Sequence, residues 1–156
     1  MNRRYLLSLL GALISAVALA QTGPQAELPK EKLVIMTRDG KAHEFNVEMA
    51  LTSEHQTVGL MNRPTVPADG GMLFDWGAPR ESSMWMKNTI SSLDMVFINA
   101  DGTIRSIGER TVPLSLATIQ SRGPVRATLE LAAGTTERLG IRVGDTVKQR
   151  IFGNGN

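Results

Sequence analysis

The chain contains no cysteine. That removes disulfides from its stability, thiols from its nucleophiles and thiolates from any metal site. Histidine is nearly as scarce: His43 and His55 are the two present, and they do not stand at the helical spacing of a ligand pair. There is no Gly-x-Ser-x-Gly elbow and no glycine-rich phosphate loop ending in lysine, which sets aside elbow-type serine hydrolases and P-loop nucleotide binding. Aromatic residues make up 4% of the chain. Charge of one sign is also missing: 17 basic residues face 15 acidic ones, and two of the basic residues, Arg3 and Arg4, lie in a segment expected to be removed. A neutral chain poor in aromatics offers nucleic acid neither an electrostatic footprint nor stacking platforms, so no nucleic-acid partner is expected.

Only the N-terminus carries a long apolar run. Arg3 and Arg4 precede Leu6 to Leu19, and Ala18-Leu19-Ala20 is a small-x-small cleavage site. This pattern predicts a signal peptide over residues 1–20, cleaved after Ala20. The run is too short and too rich in Ala and Gly for a good membrane span. The expectation is an exported protein, periplasmic or extracellular, and not membrane-embedded after cleavage. Cleavage leaves 136 of the 156 residues, an ordinary size for one domain. Residues 21–31, with Gly and two Pro, read as a flexible lead-in, residues 32–152 as a single β domain, and residues 153–156 as a disordered or trivial tail.

Within the domain, period-2 patterning dominates. Lys32 to Thr37 and Ala42 to Met49 flank the turn Arg38-Asp39-Gly40-Lys41, and Phe45, Val47 and Met49 share one face. A short helix follows, capped by Thr52 or Ser53, with Ser53 and Gln56 at capping-box spacing. Val58, Leu60 and Met61 supply its buried side and Pro64 ends it. Further strands are predicted at Met72–Phe74, Ser82–Lys87, Leu93–Ile98, Thr103–Ile107, Val125–Leu131 and Thr146–Phe152. Thr111 to Gly123 reads as an irregular connection, and Thr135 or Thr136 as the cap of one helical turn ending at Gly140. About eight short strands predict a mainly β, mostly antiparallel barrel or sandwich with one short helix and one or two single turns.

The stretch from Glu81 to Ile98 sets Met84, Trp85 and Met86 beside Lys87, Asn88 and Thr89, then enters an apolar run broken only by Asp94. Large apolar groups next to a few fixed donors and acceptors are what a ligand pocket requires. Trp85, Lys87, Asn88 and Asp94, with Arg63 reaching in, form the candidate ligand site. A carboxylate in an apolar strand needs a partner; Lys87, Arg63 or backbone amides are the choices, and an internal clamp is the competing reading of Asp94. For Arg63 the competing reading is a surface charge. Met84 and Met86 have the composition of a Cu(I) site in the cell envelope, against the alternative that methionine fills an irregular core. An acid–base hydrolase built on Asp94, with Asp75 as second carboxylate, requires a raised carboxyl pKa in a cleft. No catalytic set is recognisable.

Several motifs occur in a fixed order: Gly59-Leu60-Met61-Asn62-Arg63, Gly71-Met72-Leu73-Phe74, Trp85-Met86-Lys87-Asn88-Thr89 and Leu93-Asp94-Met95-Val96-Phe97-Ile98. Asp101-Gly102-Thr103-Ile104, Leu129-Glu130-Leu131 with Gly134, and Gly144-Asp145 follow. From about Leu33 to Ile151 the chain resembles the bacterial and archaeal family called domain of unknown function 192. The resemblance implies a compact, mainly β domain, often behind a signal peptide, with no assigned biochemical role. It marks Gly59, Leu60, Met61, Arg63, Trp85, Met86, Lys87, Asn88, Thr89 and Asp94 as pattern residues. The family often carries Arg three residues before the motif glycine; here that residue is Gln56. The leading expectation is a non-enzymatic exported domain that binds a small polar or anionic ligand, with an envelope protein as the other class of partner and no cofactor. Cu(I) handling is the alternative.

Overall fold

Why this sequence makes strands is clearest at Phe45, Val47 and Met49, which alternate with more polar neighbours and are all buried. The computed structural model describes residues 23–155; the expected signal segment lies outside them. Seven strands are present: β1 (Lys30–Met36), β2 (Ala42–Ala50), β3 (Met72–Met84), β4 (Leu93–Ile98), β5 (Ile104–Gly108), β6 (Ile119–Ala132) and β7 (Thr146–Lys148). They form one sheet in the order β5-β4-β6-β3-β2-β1-β7. Every named pairing is antiparallel except the parallel β2–β3. A bridge between Thr103 and Thr146, with Val147 N–H donating to Gly102 O at 2.7 Å, draws the two edges together into a nearly closed barrel. Two short helices, α1 (Ser53–Val58) and α2 (Thr135–Leu139), complete the set with a 3-10 turn at Arg150–Phe152. No helix among the described residues is long and apolar enough to cross a membrane.

Alternate residues of the central strands feed two cores. Leu33, Val47, Leu73, Val96, Ile104, Leu129 and Val147 come from all seven strands and fill the barrel. Met72, Phe74, Leu93, Met95 and Phe97 point the other way, under Leu28, Leu60 and Met86. This double covering is why all of Leu93–Ile98 is buried. It also means that outward residues in the middle of β4 and β6, such as Met95 and Glu130, are shielded from bulk water.

The strand count differs from the expected eight for a specific reason. Met72–Phe74 and Ser82–Lys87 are not separate strands: β3 runs through both, and its register against β6 slips between Asp75 and Arg80. The slip is a bulge with Gly77 at φ 79°, and Asp75 accepts the Gly77 N–H at 2.8 Å. Because β3 is long, its partner is too, and Ile119–Gly123, expected as irregular, belongs to β6. The ladder ends at the Met84–Ile119 pair, so Trp85, Met86 and Lys87 sit in a loop and do not alternate. The closing strand is likewise shorter than expected and gives way to the 3-10 turn, capped by the Gln149 side chain.

Both ends of the domain are fastened. In the segment expected as a flexible lead-in, Leu28 is buried, its N–H donates to Glu48 at 2.8 Å, and the Gln25 amide donates to His55 O and Gly59 O at 3.1 and 2.9 Å. In the tail, Asn154 donates to Val147 O at 2.9 Å and accepts from Gln149 N at 3.1 Å. At α1, Thr52 is the cap. The capping box does not form: the Gln56 amide instead donates to Ala50 O and Asp75 O, at 3.0 and 2.8 Å. A neutral amide thus ties α1 to β2 and β3. At α2 the cap position is Gly134 in a left-handed conformation, not a threonine.

Gly71 shows how closely β3 and β6 approach. Its φ is 145°, and a Cβ there would lie 2.3 Å from the Glu130 carbonyl oxygen. Both atoms are backbone-anchored, so neither can move aside. Gly71→Ala is expected to lower stability by roughly 2–4 kcal/mol, read as a shift of the urea midpoint at unchanged slope. A loss under about 0.5 kcal/mol would show that the strands separate freely here.

Candidate functional site

Two loops meet across the outer face of β3. The Asn62 N–H donates to Asn88 O at 2.8 Å, and Ser91 Oγ donates to Arg63 O at 2.8 Å. Asn62 and Asn88 both adopt left-handed backbone, at φ 60° and 54°, a conformation that asparagine tolerates better than most residues. Asn88 therefore shapes the loop, and its amide lies 3.9 Å from Met61 Sδ. The turn carries Trp85 out to 46% exposure. Lys87 Nζ lies 5.1 Å from the Trp85 ring centroid, within cation–π range.

Beneath Trp85, between α1 and the sheet, opens a cleft of about 360 Å³, at the small end for ligand sites. Leu60, Met61, Phe74, Trp76 and Met84 supply its apolar wall, and Arg80, Gln56 and Glu130 its polar groups. Trp76 is fixed: its ring lies 5.7 Å from Phe74, and its N–H donates to Thr128 Oγ1 at 3.2 Å. Arg80 stacks on Trp76 with its Cζ 4.3 Å from the ring centroid. Neither Arg80 nor Lys87 forms an ion pair among the described residues.

Glu130 is the unusual group. It lies on β6 between Met72 of β3 and Met95 of β4, and is 4% exposed. Among the described residues its carboxyl makes no hydrogen bond or ion pair, and burial alone pushes its pKa up to about 8. It therefore stands largely protonated at neutral pH, as a donor and acceptor with no protein partner.

The five predicted ligand residues separate. Trp85 and Lys87 stand together at the mouth, and Asn88 is the turn beside them. Asp94 is elsewhere in role: it is fully buried and accepts from Arg110 N–H at 2.9 Å, Gly134 N–H at 3.1 Å, Thr136 N–H at 2.9 Å and Thr136 Oγ1–H at 2.8 Å. Its partners are mainly backbone amides, neither Lys87 nor Arg63, and no side remains for a guest. Arg63 is also committed. Its guanidinium grips Glu48 at 2.9 and 3.0 Å and reaches Gln25 O at 3.4 Å, so this cation fastens the N-terminal segment to β2. Both residues are clamps for a physical reason, since an enclosed charge needs donors or a counter-charge; Asp94 is fully supplied, while Arg63 pairs through its two Nη groups and leaves its buried Nε without a partner.

Of the methionines, Met86 is wholly buried in the outer core, whereas Met84 is half-buried and lines the cleft. His43 and His55 are both half-buried and lie outside that wall. Asp75 pairs with Arg126 at 3.0 Å. No cluster of three or more His, Asp or Glu suited to a metal ion occurs among the described residues.

Sequence reading missed Glu130, Trp76 and Arg80. Period 2 puts Thr128 and Glu130 on the face opposite Leu129 and Leu131, but alternation alone does not say what covers that face. A charge in the middle of a long strand bounded by two apolar strands was the available signal.

Comparison with other proteins agrees with this fold. Residues 34–149 match the model of domain of unknown function 192, described as Uncharacterized ACR. No curated protein matches the chain. Among crystal structures, a Sinorhizobium meliloti 1021 protein, provisionally described as a transcription regulator, is 46% identical, with TM-score 0.79 over 81% of this chain and 98% of that one. A Novosphingobium aromaticivorans DSM 12444 protein of unknown function is 33% identical, with TM-score 0.77 over 89% of this chain and 99% of that one.

Proposed function

Since the chain belongs to the domain of unknown function 192 family, whose description assigns no activity, we propose its function from the cleft: an exported, non-enzymatic domain that binds a small molecule with a flat apolar body and a polar or anionic group. The observation that carries this reading is Glu130, a buried carboxyl with no partner among the described residues that lines a cavity walled by two indoles. An unpaired polar group in an apolar wall is costly to keep. A ligand that satisfies it recovers that cost, and the fixed Trp76 supplies a flat surface without further ordering. Lys87 and Trp85 close the mouth, and Asn88 holds their turn. Export rests on residues 1–20, and a mature N-terminus at Gln21 in a periplasmic or culture-medium fraction is the expected result of mass spectrometry.

A metabolite screen by thermal shift tests the binding role. A ligand present at 100 times its Kd adds ~2.7 kcal/mol, so true hits raise the melting point by several degrees. Trp85→Ala is expected to weaken such hits about tenfold or more, the order of 1–2 kcal/mol for an aromatic contact. If no compound shifts the unsubstituted protein, the binding role is wrong.

A further inference from the structure

The binding reading leaves the ligand's charge open, and the distribution of charge around the cleft speaks to it. Glu130 and Arg80 are the ionisable residues that line the cleft; Glu54 and His55 of α1 and Glu81 of β3 lie outside its wall. On β6, Arg126 is paired with Asp75 at 3.0 Å. On β2, Glu48 is held by Arg63 at 2.9 Å. The outward residues of β4 are Leu93, Met95 and Phe97, with no titratable group. α1 contributes Gln56, whose amide is already used. β3 contributes Arg80, which lines the cleft and has no acidic partner among the described residues. Lys87 adds a second unpaired cation at the mouth.

Resting on the proposed binding role, we infer that the ligand is a small carboxylic acid, taken up as its anion, with the Arg80 guanidinium and the Glu130 carboxyl as its two polar contacts. An anion entering the cleft meets the Arg80 guanidinium in its wall, and no carboxylate other than Glu130 lines it. Inside, it requires Glu130 to be neutral so that the Glu130 O–H can donate to the ligand carboxylate; burial supplies that state, with the pKa at about 8. No bond is made or broken. The proton stays on Glu130 below that pH, and binding takes up one proton above it. A cationic amine faces the reverse on both counts, with two like charges at entry and a proton to displace.

Three matched probes test this with the purified full chain by ligand-observed NMR: phenylacetate, phenylacetamide and phenethylamine. Phenylacetate is expected to bind at least tenfold more tightly than either of the others. Its affinity should be constant from pH 6 to 7.5 and fall up to tenfold per pH unit above 8. Glu130→Gln, which keeps a neutral donor, should retain binding and lose that decline. Arg80→Ala, a change at an exposed side chain, should weaken phenylacetate about tenfold without altering the decline. Tightest binding of phenethylamine, or a profile as flat in the unsubstituted protein as in Glu130→Gln, overturns the inference. If phenylacetate fails, anionic carboxylates among the thermal-shift hits support it and uncharged or cationic hits refute it while leaving the binding role intact. A screen with no hits removes both.

Discussion

Asp94→Ala is expected to cost roughly 3–5 kcal/mol of stability, the range for removing one member of a buried charged network, and to leave much of the protein unfolded near 37 °C. The carboxylate accepts from residues 16, 40 and 42 positions away in sequence. It therefore ties the connection after β5 and the start of α2 to the buried β4. Alanine leaves the N–H groups of Arg110, Gly134 and Thr136 without their acceptor, in a place where water enters poorly, and only the Thr136 hydroxyl keeps one, Glu109 Oε1 at 3.2 Å. Asp94→Asn keeps one oxygen and turns an amide NH₂ toward donors, so about half that loss is expected. Urea unfolding followed by circular dichroism measures both. Lys87→Ala, at an exposed side chain, should stay within about 0.5 kcal/mol of the unsubstituted protein and serves as the control. If Asp94→Ala were as mild as Lys87→Ala, the carboxylate would not be a clamp, and a role at a ligand would be open again.

The second large effect is a pH dependence. Glu130 in the folded chain titrates near pH 8, against 4.5 for an ordinary glutamate. Below pH 4.5 both folded and unfolded chains hold the proton, and the group adds no pH dependence. Between 4.5 and 8 the unfolded chain releases the proton while the folded chain keeps it. The folded state then binds more protons, and stability falls as pH rises. Above pH 8 both release it and the loss is complete, on the order of 5 kcal/mol at 1.36 kcal/mol per pKa unit. Glu130→Gln has no proton to lose. The stability of Glu130→Gln minus that of the unsubstituted protein is therefore expected to grow from pH 5 to 8 and then level off. Asp39, Asp101 and Glu31 have pKa values held below their ordinary range by hydrogen bonds from neighbours, so their influence falls at more acid pH. Parallel stability curves across pH 5–8 would mean that the Glu130 carboxyl is hydrated or paired.

These effects concern residues that a linear reading treats unevenly. Asp94 was visible at once, because a carboxylate inside Leu93–Ile98 contradicts its surroundings; its clamp role was one of two readings left open. Glu130 was visible only as one outward position of an alternating strand. The difference lies in what covers each face. The outward face of β6 is covered because β3 and β4 flank it and Leu28, Leu60 and Met86 pack over their outer core, and these residues come from distant parts of the chain. Ser82–Lys87 failed as a separate strand for a related reason, since a bulge is decided by what a partner strand offers and not by the alternation of the strand that bulges.

By itself the sequence determined the things set by near neighbours: strands from period 2, turns from glycine and asparagine, a helix cap at Thr52 or Ser53, and the family through motifs in fixed order. Tertiary structure alone decided which polar groups are spent and which are spare. Arg63 and Asp94 find their partners across gaps of 15 to 42 residues, while Glu130 and Arg80 find no hydrogen-bonding or ionic partner among the described residues and both face one cavity. Hydrogen-bond satisfaction belongs to the assembled interior, where each donor and acceptor meets whatever the fold brings within 3 Å or so, and local composition carries no record of that meeting.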